Sequence, residues 1–127
     1  MRPIKFRAWD ASVKEMMSVG SINFGQQPDS GHIWTPDSAP QHRALIAVVL
    51  MQFTGLLDKN GKEIYEGDVV RHFSYGDVWE VEYIPQAAGV VIHGRSGQCP
   101  LTDGCKHNIE VIGNIYENPD LLKTEAA

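Results

Sequence analysis

Apolar and polar positions alternate in short runs along most of this chain. Ile4, Phe6 and Ala8 alternate with Lys5, Arg7 and Trp9, a polar bend runs from Asp10 to Glu15, and Met16 to Val19 returns, reaching at most Phe24. Period-two alternation marks a half-buried strand, so residues 4 to 24 predict an N-terminal hairpin. From Gly25 to about residue 44 the composition turns to Gln, Pro, Asp, Ser and Gly, with Pro28, Pro36 and Pro40 spaced through it. This predicts a loop or insertion, which Ile33 and Trp34 would pin back onto the body. Leu45 to Thr54 is apolar, short and bounded by Pro40 and Gly55. A buried strand is favoured there, the alternative being a helical turn or two at Gln41 to Val48 that feeds a shorter strand.

The next segment is governed by turn chemistry. In Asp58-Lys59-Asn60-Gly61, Asp suits the first position of a type I turn and Gly61 supplies the positive φ that ends it. The expected result is a three-residue hairpin loop with a Gly bulge, which sets Asp58 opposite Lys62 and brings Leu56 beside Ile64. A two-residue Asn60-Gly61 turn would instead oppose Asp58 to Glu63, a like-charge pair. Glu66-Gly67-Asp68 forms a second tight turn and leads into a strand from Val69 to Phe73.

Beyond the turn at Ser74 to Asp77, Trp79, Val81 and Tyr83 alternate with Glu80 and Glu82, predicting a strand with an apolar face and an acidic one. A turn at Pro85 to Gly89 and a strand from Val90 to His93 follow, then a long loop over 94–108 that carries Gly94, Gly97, Pro100 and Gly104. Ile109, Val111 and Ile115 mark the last strand. Asn118-Pro119-Asp120 then opens a short C-terminal helix, with Asn118 as N-cap and Leu121 and Leu122 docking it. Many short strands at close spacing predict a mostly β fold of the small-barrel or sandwich type. The 127 residues suit one domain, with room for two lobes.

Three blocks carry a family resemblance: IKFRAWD at 4–10, MQFTGLLDKNGKEIYEGDVV at 51–70 and VIGNIYENPDLL at 111–122. Together they resemble the YopX family, encoded mainly by bacteriophages and prophages. The resemblance implies a small SH3-like barrel-type β domain, a bacterial cytoplasmic setting and homo-oligomerisation. It supplies no catalytic residue and no established biochemical function, and its blocks cover turns and strand cores. The segments 25–44 and 94–108 fall outside it.

Charge and composition narrow the function classes. The net charge of −5 and the scattered single Lys and Arg residues disfavour nucleic-acid binding, which draws on clustered cations. The longest apolar run, Ala44 to Met51, is far below the roughly 20 residues of a membrane span, and MRPIKFRAWD lacks the apolar region of a secretory leader. A cytoplasmic protein with reduced cysteines is therefore expected.

Candidate chemistry is sparse. His93, Cys99, Cys105 and His107 lie in or beside the 94–108 loop, and imidazole with thiolate suits zinc. The cysteine spacing is not that of a zinc knuckle, however, so the plain reading is two thiols and two surface histidines. Glu63, Glu66 and Asp68 cluster in sequence, and Glu80 and Glu82 share a strand face. Carboxylates brought together can serve acid–base chemistry, but strand solvent faces commonly carry acids, and Asp58, Asn60, Gly61, Gly67 and Asp68 have turn roles that need no catalysis. Nucleophile elbows, phosphate loops and calcium loops are absent from the sequence.

Trp9, Phe53, Tyr65, Tyr75, Trp79 and Tyr83 could form core, interface or a stacking platform. Tyr75 and Trp34 are the candidates for partner contact. The reading is a non-enzymatic protein-binding or self-assembling module of phage origin, with no cofactor. Nucleic-acid binding through a barrel face is the alternative, and a zinc-dependent protein using the 93–107 loop is a third.

Overall fold

The computed structural model describes residues 3–27, 30–37, 41–72, 78–87, 89–94, 97–102 and 108–122. Nearly all of its regular structure is antiparallel β, as the alternation predicted. The chain packs as two compact units, Ile4–Gln52 and Phe53–Ala127, the second including Met1–Pro3.

In the first unit, β1 (Phe6–Asp10) and β2 (Glu15–Ser18) form the N-terminal hairpin, with Asp10 paired to Glu15. The return strand ends at Ser18, and Ser21–Asn23 is a separate strand, β3. The segment read as a loop contains two more strands, β4 (His32–Trp34) and β5 (His42–Ala44), which order with β3 as β3-β4-β5. Its alternation runs for only three residues per strand, too few to stand out among prolines. Ile33 is fully buried and packs with Ala8 and Met17. At the end of β1, the buried Asp10 carboxylate receives the Arg43 Nε–H at 3.0 Å from β5 and the Ser12 hydroxyl at 2.6 Å.

The apolar stretch after Pro40 follows the alternative reading of a helical turn feeding a strand, though the turn is a single 3-10 one and the strand is long. A 3-10 turn at Leu45–Ala47 precedes β6 (Val49–Leu57), whose first half pairs with β1. The second half of β6 belongs to the other unit and pairs with β7 (Glu63–Tyr65), with a register shift between Phe53 and Leu57. At that shift the buried Thr54 hydroxyl donates to the Ile64 carbonyl at 2.7 Å, so the interrupted ladder leaves that acceptor paired.

The second unit is built on a five-stranded sheet of β8 (Asp68–His72), β9 (Val78–Ile84), β10 (Gly89–Gly94), β11 (Gly97–Pro100) and β12 (Ile109–Asn114), ordered β11-β10-β9-β8-β12. β11 corrects the reading of 94–108 as one loop. Gly94 pairs with Gly97, so a two-residue connection turns the chain back onto β10, and Pro100 is tolerated because β11 is an edge strand. One face of the sheet holds the core: Val70, Trp79, Val81, Ile92, Ile109 and Val111, joined by Ile64 of β7. Val81 is fully buried and Trp79 nearly so, while Tyr83, two residues further along β9, is half exposed because the core ends before it.

A helical turn begins at Asp120. The Asn118 carbonyl accepts the Leu121 N–H at 3.2 Å at the start of this turn. The Asn118 Oδ1 accepts the Asn114 backbone N–H at 3.2 Å, while the Asn114 carboxamide oxygen takes the N–H groups of Tyr116 and Glu117. Among the described residues no helix is long and apolar enough to cross a membrane.

Candidate functional site

The geometry of the 52–70 stretch is set by Asp58. Its backbone N–H donates to the Lys62 carbonyl at 2.8 Å, its carbonyl accepts the Gly61 N–H at 3.0 Å, and Gly61 has φ +83°. This is a type I turn closed by a left-handed glycine, with Asp58 facing Lys62. The Asp58 carboxylate accepts three backbone N–H groups, from Asn60 at 2.8 Å, Lys62 at 2.9 Å and Val111 of β12 at 2.9 Å. Burial alone pushes this carboxyl up, but the three N–H donors and the Lys62 charge outweigh it and hold it below its ordinary value of 3.8. Gly67, with φ +88°, donates its N–H to the Val81 carbonyl and accepts from Ile115, and Asp68 receives the Tyr65 N–H. These groups lock strands together.

The aromatic residues mostly face inward. Trp9, Phe53 and Trp79 are buried, and Phe53 packs on the half-buried Tyr65 with ring centres 5.5 Å apart. The Trp34 ring occupies the space a side chain at position 20 would need, at 2.5 Å from an ideal Cβ, so it serves packing within its own unit. Tyr75, Cys105 and His107 lie outside the described residues.

The described half of the cysteine–histidine set does not converge. Cys99 pairs with Ile92 and His93 with Gln98, so the two side chains project from opposite faces of the sheet. Cys99 packs against the core cluster. His93 instead meets the acidic face of β9. It lies opposite Glu80 and diagonal to Glu82, with its Nε2 at 2.5 Å from Glu82 Oε2 and 3.8 Å from Glu80 Oε1. This trio, whose donor atoms all lie within 4.8 Å of one another, was not assembled from the sequence. The signal was present: a turn over Pro85 to Gly89 sets the β9–β10 register, and that register places His93 across from Glu80.

Burial pushes the Glu80 carboxyl above its ordinary value of 4.5, the nearby histidine pulls it down, and Glu82 adds repulsion, so the net direction is up. The surrounding face is largely enclosed, with Val69, Val78 and Val91 buried on it. Arg71 and Glu110 face the same side one and two strands away.

Comparison with known proteins decides the family. The family described as YopX protein matches residues 5–123, nearly the whole chain. The chain belongs to the YopX family. A search of curated proteins finds no match. Among solved structures, protein EF1440 from Enterococcus faecalis is similar at 26% identity and a TM-score of 0.59, covering 96% of this chain and 99% of its own. YopX from Bacillus subtilis is similar in fold at 20% identity and a TM-score of 0.63, covering 96% and 97%. The YopX-like blocks of the sequence fall on β1, on β6 through β8 with their two turns, and on β12 with the turn after it. Glu80, Glu82 and His93 lie outside all three.

Proposed function

We propose that this YopX-family chain is a phage or prophage accessory protein that acts in the bacterial cytoplasm as a non-enzymatic protein-binding or self-assembling module, with an SH3-like barrel element in its Phe53–Ala127 unit. The observation that carries the reading is the apolar surface of the other unit. Ile4, Val13, Phe24, Ile46 and Val49 are all exposed there, Phe24 and Ile46 at 72%. Among the described residues its buried cluster, by contrast, is Ala8, Met17 and Ile33, with partly buried apolar side chains packed around them.

Single exposed apolar side chains are ordinary, but this many around so small a core fit a surface that a partner covers. The buried Trp9, Phe53 and Trp79 leave little of an aromatic stacking platform, and the net charge of −5 adds no attraction for phosphates. Self-association is the favoured mode, and native mass spectrometry tests it. The unmodified chain is expected as a closed oligomer whose melting temperature rises with protein concentration, and the double variant Phe24→Ser/Ile46→Ser as a folded monomer whose melting temperature does not depend on concentration. An unmodified chain that is monomeric and brings down no phage or host protein from lysate would sink the proposal.

A further inference from the structure

We infer that Glu80, Glu82 and His93 form a binding site for one divalent transition-metal ion of the zinc class. The donor set is mixed, two carboxylates and an imidazole, which suits zinc and its neighbours better than the all-oxygen preference of calcium or magnesium. It is held by paired strands: Glu80 and Glu82 are two residues apart on one face of β9, and the ladder fixes His93 opposite Glu80 on β10. Strand pairing makes this placement rigid in a way that loop residues are not.

The histidine supplies the second, independent observation. Its Nε2 is enclosed and makes no aligned hydrogen bond, even though Glu82 Oε2 is 2.5 Å away and Glu80 Oε1 is 3.8 Å away. A buried imidazole nitrogen left this way is uncommon, because such atoms nearly always find a donor or acceptor. A cation between the three groups gives that nitrogen a partner as a neutral ligand and relieves the repulsion between the two carboxylates. Ligands on a tetrahedral zinc ion with bonds of about 2.1 Å stand about 3.4 Å apart. The three donor atoms lie within 4.8 Å of one another, and side-chain torsions on half-exposed Glu82 open its 2.5 Å approach to His93 Nε2 to admit an ion. Three protein ligands leave a fourth position for water or for a group from outside the chain.

Two neighbouring features shape what this site can do. The side chains are graded in exposure, Glu80 at 21%, His93 at 35% and Glu82 at 45%, so an ion reaches the site from solvent on the Glu82 side. The site is also on the face opposite Cys99, so the Cys99 thiolate plays no part in it.

Isothermal titration of the metal-free protein with Zn²⁺ is the test, alongside Mg²⁺ and Ca²⁺ and the variants His93→Gln, Glu80→Gln and Cys99→Ser. One equivalent of Zn²⁺ per chain is expected, with weaker Mg²⁺ and Ca²⁺. Losing a direct ligand in His93→Gln or Glu80→Gln lowers affinity by more than the roughly 10- to 100-fold that a supporting outer group commands. Cys99→Ser leaves it unchanged. Co²⁺ loaded in place of Zn²⁺ gives no thiolate charge-transfer absorption. The unmodified chain failing to bind Zn²⁺ would overturn the inference, as would binding that survives His93→Gln and Glu80→Gln or disappears in Cys99→Ser. Both glutamates and the histidine are partly exposed, and far-UV circular dichroism of each variant verifies the fold; should one fail to fold, the other decides.

Discussion

The two units of this protein invest their apolar residues differently. In Phe53–Ala127 seven buried side chains from five strands form one cluster, and among the described residues Leu57 and Tyr83 are its exposed large hydrophobics. In Ile4–Gln52 three short strands lie in a sheet of their own, the buried cluster has three members, and five large hydrophobics face outward. Burial of apolar area is what offsets the conformational entropy of ordering a chain. The first arrangement supports itself, and the second is short of buried surface. The difference is what places the proposed interaction surface on the unit whose own core is thin.

Core truncations strain the comparison most. Ile64 and Ile33 are both fully buried, but Ile64 sits within the larger cluster. Ile64→Ala is expected to cost about 3 to 5 kcal/mol in chemical denaturation, and Ile33→Ala about 2 to 3 kcal/mol, because fewer neighbours leave a cavity that collapses more readily. Equal losses would break the distinction between the two cores.

The next effect lies at Asp58, which joins the β6–β7 turn to β12. Asp58→Ala leaves three backbone donors without their acceptor and is expected to cost about 1 to 3 kcal/mol at neutral pH. Since the folded carboxyl lies below its ordinary value of 3.8, its contribution is complete above that pH and is lost as the pH falls through the depressed folded value. The stability gap between Asp58→Ala and the parent should therefore narrow under acid, and a gap independent of pH would remove the carboxylate from the argument.

Gly61→Val follows, at about 1 to 2 kcal/mol. Nothing lies within 4 Å of a Cβ built at this position, so the entire cost comes from the φ of +83°. Thermal melting at parental temperature would show that the turn relaxes without strain. The smallest effect has the opposite sign. Burial opposes ionised Glu80, so Glu80→Gln in metal-free protein should raise the melting temperature slightly at neutral pH, with the gain vanishing below about pH 4.5, where the unfolded carboxyl is itself protonated.

How far the sequence reveals this molecule follows the same division. The β6–β7 turn, the Gly67 turn, the hairpin at the N-terminus and the apolar face of β9 are legible because local chemistry dictates them: a glycine at positive φ, an aspartate at a turn start, a period of two. β4 and β5 are not, since three-residue strands among prolines carry too little periodicity to register. β11 hides for a related reason, as Gly94, Gly97 and Pro100 read as loop until β10 is there to pair with. The Asn118 side chain's bond to the Asn114 N–H depends on the fold bringing the end of β12 beside it, which no local pattern shows. The Glu80, Glu82 and His93 cluster needed the β9–β10 register, a pairing between segments that no single stretch contains. Cys99 and His93, six residues apart, look like partners in sequence until alternation across β10 and β11 sends them to opposite faces.

The central claim is that the Ile4–Gln52 unit is completed by association, and hydrogen exchange measured across a wide range of protein concentration tests it most directly. Amides of β3, β4 and β5 are expected to become markedly better protected as concentration rises, while those of β8, β9 and β10 keep the same protection throughout. Protection in Ile4–Gln52 that is independent of concentration, in a chain that remains monomeric, would contradict the account.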